Sequence, residues 1–499
     1  AALRLDQAEA LEAAGRRAQA KAAVRAALAH IPVDRIDLRL RSARRLRALG
    51  AYDEAAELLA ALRAQVPDDA GVLEESGWLA RARGDYAAAR SFFLAAQSRL
   101  PDKPALAEAI AAIDARRQRW ISAGFDIETK PGEPGISDVR TAQLPVEWRW
   151  ARGYDGHWFG QIDSVDLDVG RLPADYDSAA LYGTVQANGP AALASFPDGF
   201  VPRARGTAVG VGYENDDFRV DLGTTPLGFT IEDWVGGVRL FAQTGAIDWS
   251  FDVARRPMTS SLVAYAGARD PVSPRVWGGV RRNAAAVRAA YYGPRHSATL
   301  TLDAARLTGR DVPDNDYFGL RASYDWRIVD RPSDRVFIGL TATFWDYALN
   351  QRFYTYGHGG YYSPQTYLNI GLPVLWQGAR GRWTYEFGAT LSHSRSQEDA
   401  APFYPTDPVL QAQAQGAPLP AGFDAPVYDG GRGAGWGYGL RLAVERQLDA
   451  RWALGLRAAL DRSDFYEPEF ATLYLRRVFD EAGGVLRDPP RPPRRYADY

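Results

Sequence analysis

Between Trp120 and Phe479 the apolar residues fall at every second position, segment after segment. In "TAQLPVEWRW", Ala142, Leu144, Val146, Trp148 and Trp150 alternate with Thr141, Gln143, Glu147 and Arg149. "YFGLRASYDWRI", "RWTYEFGATL" and "RWALGLRAAL" repeat the pattern. A period of two is the mark of strands with one apolar face. Sixteen such segments are expected, near 120–128, 140–150, 156–169, 206–213, 217–223, 234–243, 246–254, 279–291, 296–307, 315–327, 335–347, 364–376, 381–395, 436–446, 450–461 and 470–479.

The connections narrow the choice. All the long ones, 170–205, 255–278, 348–363 and 396–435, follow odd-numbered strands, whereas "YGPR", "QGARG" and "QLDA" follow even-numbered ones. Short turns at one end and long loops at the other describe an antiparallel transmembrane β-barrel of the outer-membrane type. A soluble propeller would show a blade-length repeat, and none is found. A soluble sandwich has no need of so many ten-residue segments ending in Trp or Tyr, which suit the lipid headgroup level. The absence of a 20-residue apolar run argues against a transmembrane helix. Sixteen strands enclose a lumen too wide for side chains to fill, so an aqueous channel is expected.

The first 118 residues follow a different rule. "GAYDEAAELLAALRAQVP" (50–67) and "GDYAAARSFFLAAQSRLP" (84–101) share Gly, Tyr, Ala and Pro at a spacing of 34, the period of tetratricopeptide repeats. "GRRAQAKAAVRAALAHIP" (15–32) reads as a degraded earlier copy, and 105–120 as a capping or linker helix. The expected division is 1–118 repeats, part of a longer solenoid; 119–479 barrel; 480–499 a Pro/Arg-rich tail. Such a solenoid offers a concave face to a partner, or serves as a spacer. For the tail, hanging below the barrel and folding back into the lumen both remain open.

Little in the chain points to catalysis. A net charge of −2 gives no footprint for nucleic acid. The chain contains no cysteine, which removes disulfides and thiolate chemistry. No phosphate-binding G-x-x-x-x-G-K-[ST] occurs, and the three lysines, Lys21, Lys103 and Lys130, are expected ahead of the barrel. The five histidines are scattered, so no metal or other cofactor is expected. "LSHSRS" puts Ser392, His393 and Ser394 on one strand, the single hint of an outer-membrane hydrolase; strand neighbours point to opposite faces and cannot pair as nucleophile and base.

A path for a sugar polymer needs hydroxyls or amides and a few aromatic platforms. If Val336, Ile338, Leu340, Ala342 and Phe344 face lipid, then Thr341, Thr343, Trp345 and Tyr347 face the lumen. The next strand, with Leu368 to Trp376 on lipid, turns Tyr367 and Asn369 inward. The preceding loop brings Tyr361, Tyr362, Ser363 and Gln365 to the mouth. These eight residues, Trp345 and Tyr347 among them, are the candidate path; a rim or loop-fixing role fits Trp345 and Tyr347 as well.

"VDLGTTPLGF" (220–229), "TATFWDYALN" (341–350) and "GHGGYYSPQTYLNIGLPVLWQGARGRWTYEFG" (357–388), set behind tetratricopeptide repeats, resemble the cellulose synthase operon protein C family. That resemblance implies an outer-membrane porin releasing a β-1,4-glucan. It also implies repeats in the periplasm that contact other parts of the synthase or peptidoglycan, and no energy-coupling site of its own. Exporters of alginate or poly-N-acetylglucosamine share the plan of repeats and barrel, and only the quoted motifs select cellulose.

Overall fold

The computed structural model describes residues 2–331, 333–463, 467–480 and 489–499. The chain divides into two compact units, a helical one within 2–118 and a β unit from Arg119 onward.

In the helical unit, α1 (Ala2–Ala13) pairs with α2 (Arg17–Leu28), α3 (Ile36–Ala48) with α4 (Tyr52–Gln65), and α5 (Ala70–Ala82) with α6 (Tyr86–Arg99); α7 (Pro104–Arg116) follows. The starts of α3 and α5, and of α4 and α6, differ by the 34 residues of the sequence repeat. The repeated small residues have a steric reason. A Cβ on Gly77 would lie 2.6 Å from the Phe93 ring, so glycine is what lets α5 and α6 approach. Phe93 fills that contact edge-on to Trp78, with ring centroids 4.9 Å apart. Asp69 and Asp85 cap α5 and α6, accepting hydrogen bonds from Val72 N and Ala88 N.

The β unit is a closed antiparallel barrel. Its strands, in chain order, are β1 (Trp120–Lys130), β2 (Val139–Arg152), β3 (Gly156–Asp168), β4 (Arg203–Glu214), β5 (Phe218–Thr224), β6 (Trp234–Thr244), β7 (Ile247–Pro257) and β8 (Val276–Tyr292). They continue with β9 (His296–Arg310), β10 (Val312–Asp330), β11 (Asp334–Tyr347), β12 (Thr366–Arg380), β13 (Trp383–Glu398), β14 (Gly431–Gln447), β15 (Trp452–Arg462) and β16 (Glu469–Val478). Each is hydrogen-bonded to the next, and β1 closes on β16 from Trp120 opposite Val478 to Thr129 opposite Glu469. The strand count and the two-ended loop rule are as the alternation predicts. Lys130 proves to be the last residue of β1, not a residue ahead of the barrel.

Lipid-facing residues stand out by exposure: Leu340, Ile370, Leu372, Leu391 and Leu473 are each about half exposed and Trp436 about two-thirds, although large and apolar. In water such a surface would be costly; against acyl chains it is the expected outer face. One connection is shorter than the sequence suggests. β9 and β10 meet through Asp311 alone, at φ 51°, so β10 spans 19 residues where a shorter strand was expected.

Candidate functional site: the barrel lumen and its mouth

The inner wall has two unlike sectors. On β1 to β5 the inward positions include Asp126, Glu128, Glu147, Asp163, Arg219 and Asp221, most of them buried. Carboxylates cannot stay buried without partners. Asp221 is held by both Nη atoms of Arg256 on β7 at 2.7 Å, and most of the other partners come from the segment 489–499, which lies inside the barrel. Arg495 donates from Nε to Asp126 Oδ2 at 3.0 Å and from Nη1 to Glu128 Oε2 at 2.8 Å. The Arg494 amide donates to Glu147 Oε2 at 2.9 Å, and the Arg494 carbonyl accepts from Gln161 Nε2 at 3.1 Å. Tyr499 donates its hydroxyl to Glu147 Oε1 at 2.9 Å, and its ring lies 3.6 Å from the Arg219 guanidinium carbon.

Tyr496 is the anchor. Its amide donates to Asp163 and its hydroxyl to Asp221 Oδ2 at 2.9 Å, and its side chain is 1% exposed. The ring sits over Gly210 on β4 and Gly223 on β5, which face each other across the ladder. A Cβ at either position would come within 2.4 Å of that ring. The glycine pair is therefore a seat cut in the wall for one aromatic side chain. Beside the segment a cavity of about 780 Å³ remains, lined by Glu128, Arg149, His157, Glu214 and Arg457 among others.

From β11 to β14, in the half near the long loops, the inward row from Thr343 to Ser396 is uncharged, and Glu398 at the end of β13 is paired with Arg352 at 2.8 Å. Thr343 is opposite Asn369, and Trp345 opposite Tyr367, with their rings stacked at 4.6 Å and 22°. Asn369 is in turn opposite Ser394, and Tyr367 opposite Ser396, while β14 continues the row with Gly433, Gly435, Gly437 and Gly439. The result is an aromatic step with hydroxyls and an amide beside it and a smooth glycine strip next to those.

The eight candidate residues divide by environment. Trp345, Tyr362, Tyr367 and Asn369 are half-buried on this wall or just above it, Tyr362 standing edge-on to Tyr367 at 6.3 Å. Tyr347, Tyr361 and Ser363 are buried. Tyr361, 1% exposed, packs beside Tyr347 at 6.1 Å, and its hydroxyl accepts from Asn315 Nδ2 at 3.1 Å. Ser363 Oγ accepts from the Gln351 amide at 2.7 Å, and Gln365 Oε1 accepts from the Asp399 amide at 2.6 Å. Those four hold the loop in place. His393 faces outward, its ring 5.1 Å from Trp436, with Ser392 and Ser394 turned the other way.

The long loops share a core of their own, which neither alternation nor motif predicts. Tyr182, Trp277 and Tyr356 meet edge to face at 5.5 and 5.7 Å. Phe353 stacks on Tyr428 at 3.6 Å, and Phe403 lies 4.5 Å from Tyr428. Thr184 donates to Asp270, and Arg275 pairs with Asp407 at 2.7 Å, tying the loops 169–202, 258–275 and 399–430 together. His358, fully buried beneath them, engages the Pro402 carbonyl at 2.9 Å through Nε2; burial pushes its imidazole down to about 4. The sequence signal that could have found this cap is the density of Tyr and Phe in the loops, as in "RFYTYGHGGYY", where surface loops are usually polar.

Residues 137–480 match the family model described as the cellulose synthase operon protein C C-terminus. A protein of that name from Salmonella typhimurium is 32% identical over 391 residues, 76% of this chain and 32% of the relative. Cellulose synthase 2 operon protein C of Komagataeibacter xylinus is 33% identical over 359 residues, 69% of this chain and 26% of its own. The chain thus spans about a third or less of the length of these relatives. A solved bacterial polysaccharide outer membrane secretin aligns over 73% of the chain and 99% of its own, at 9% identity and a TM-score of 0.46, too distant to bear on function. With the motifs and the sixteen-strand pairing, the family match leads to one assignment: the chain belongs to the cellulose synthase operon protein C family, of which it carries the outer-membrane barrel.

Proposed function

We propose that the barrel is a passive export channel for a β-1,4-glucan, fed by a synthase and presenting its helical repeats in the periplasm as a docking face for other synthase components or peptidoglycan. The observation that carries the cargo class is the uncharged sector. A glucan has equatorial hydroxyls at its edges and C–H faces above and below. Trp345 stacked on Tyr367 offers a platform for such a face, while Thr343, Asn369, Ser394 and Ser396 offer exchangeable hydrogen bonds. Weak, repeated contacts of this kind let a chain slide, whereas a row of charges would hold ions and water against it. The family name of the relatives selects glucan among polysaccharides.

The segment 489–499 serves as an internal plug that narrows the lumen beside the charged wall, and the loop core is the closed mouth. Displacing either requires cargo or partners, since no energy-coupling motif is present in the sequence. A planar-bilayer recording tests the reading. Single channels should conduct, and cellohexaose should block the current from one side; a barrel that inserts and conducts but ignores cello-oligosaccharides overturns the cargo assignment. A hydrolase reading has lost its motive, because His393 faces away from the lumen.

A further inference from the structure

On the outer wall, near the long-loop end, the arginines fall into two kinds. Arg203 and Arg205 share Asp166, Arg306 is held by Asp314 and Asp316, and Arg462 pairs with Glu469. Arg395 on β13 and Arg432 on β14 also point outward and are exposed, yet among the described residues neither meets a carboxylate or any other hydrogen-bonding partner. The register makes them diagonal neighbours: Arg395 is opposite Ala434 and Arg432 opposite Gln397. Their Cβ atoms are thereby placed about 7 Å apart on one face.

Directly below them the surface turns apolar. His393 and Trp436 form the next cross-strand pair, and beneath these come Leu391 and Tyr438, with Ile370 alongside on β12. Trp436 is 66% exposed and Ile370 50%. Two unpaired guanidiniums thus sit about 7 Å, one side-chain repeat, above a column of exposed hydrophobic residues. That combination fits an amphiphile with an anionic head and several acyl chains. Guanidinium forks suit phosphate oxygens because two N–H groups bond one group in a plane. Arg203, Arg205, Arg306 and Arg462 are neutralised by the protein's own carboxylates; for the adjacent pair Arg395 and Arg432 none of the described residues supplies a counter-charge.

We propose that Arg395 and Arg432 bind a phosphate of lipid A, the phosphorylated glycolipid of the outer leaflet, with its acyl chains laid along Trp436, Leu391 and Ile370. The long-loop end faces the outer leaflet in barrels of this type, which selects lipid A over an inner-leaflet phospholipid. The site rests on the outer-membrane reading of the barrel and is independent of the cargo. It would fix the height of β13 and β14, the strands that carry the serine and glycine rows on their inner faces.

Native mass spectrometry of the detergent-solubilised chain tests it, with diphosphoryl lipid A, fully dephosphorylated lipid A and phosphatidylglycerol as probes. Each arginine at a charged membrane surface is worth about fivefold in binding. Arg395→Gln with Arg432→Gln should therefore weaken diphosphoryl lipid A about twenty-five-fold and leave dephosphorylated lipid A unchanged. Arg306→Gln should change neither, and Arg395→Lys with Arg432→Lys should keep most of the binding. Unchanged lipid A binding in the double Gln variant overturns the site, and an equal loss for phosphatidylglycerol overturns its outer-leaflet assignment. Heat-dependent gel mobility verifies that the barrel is folded; if the double variant loses it, Arg432→Gln alone is read against the same criteria at a fivefold effect. Failure of the barrel to insert and conduct in vesicles would instead remove the membrane reading itself.

Discussion

The two sectors of the inner wall obey one backbone rule and put it to opposite uses. On β1 to β5 the inward positions are carboxylates and arginines, and the segment 489–499 lies against them, joined by Arg494, Arg495, Tyr496 and Tyr499. On β11 to β14, in the half near the long loops, the row from Thr343 to Ser396 is Thr, Ser, Asn, Gly and a stacked Trp and Tyr, whereas nearer the short turns Glu386, Arg441 and Glu445 face inward and the Arg491 amide donates to Glu445 Oε2 at 3.3 Å. Charge calls for a fixed partner in a confined space, whereas uncharged hydroxyls exchange partners at little cost. A channel that must hold its own plug and also let a polymer slide has reason to keep the two apart.

The largest test of that contrast is removal of residues 489–499. Single-channel conductance should rise several-fold. The current should also become cation-selective, because Asp126, Glu128, Glu147 and Asp163 lose the cations and amides that now face them. Unchanged conductance in a folded barrel would mean that the charged wall is not a plug seat.

Next comes acid, which acts on the cap above both walls. His358 has its ordinary value of 6.5 lowered to about 4 by burial, so the folded cap keeps it neutral. Its contribution is complete above pH 6.5 and is lost as the pH falls through 4, a difference of roughly 3 kcal/mol at 1.36 kcal/mol per unit. Hydrogen exchange in 353–358 and 401–428 should accelerate across that window, and His358→Phe should flatten the dependence. A profile unaltered by the substitution would place the sensitivity elsewhere.

The seat itself is tested by Gly210→Val, whose Cβ would lie 2.4 Å from the Tyr496 ring, with all three nearest atoms belonging to that ring. Loosening of the segment, read as faster proteolysis after Arg494 and Arg495, should follow while the barrel stays folded. On the other wall, Trp345→Ala removes half of the aromatic step, and cellohexaose block should weaken about tenfold, on the order of 1.4 kcal/mol, at unchanged open-channel conductance. Ser394→Ala should cost about twofold or less, since one of several interchangeable hydroxyls is lost. If Ser394→Ala were as damaging as Trp345→Ala, the sliding picture would give way to a specific binding site.

The candidate path shows where sequence reasoning reaches its limit. Alternation put Trp345, Tyr367 and Asn369 on the inner face, because a strand of known phase leaves each side chain only two directions. It could not tell Tyr361 from Tyr362, since loop residues have no period. One is buried against Tyr347 and Asn315, and its neighbour stands over the wall. The same holds for His358, which reads as one scattered histidine and is a buried part of the cap.

By itself, then, the order of residues determined the 34-residue helical hairpins, the sixteen strands, the two-ended loops and which face of each strand meets lipid. All of these follow from periodicity and from local steric needs such as Gly77 against Phe93. Only the tertiary structure decided where the Pro/Arg-rich segment goes, which acids receive Arg495, and that four long loops make one core. Those choices pair residues more than 300 positions apart, as Arg495 with Asp126, and any arginine could in principle satisfy any carboxylate. The geometry of the closed barrel, with one glycine seat for one tyrosine, selects among them.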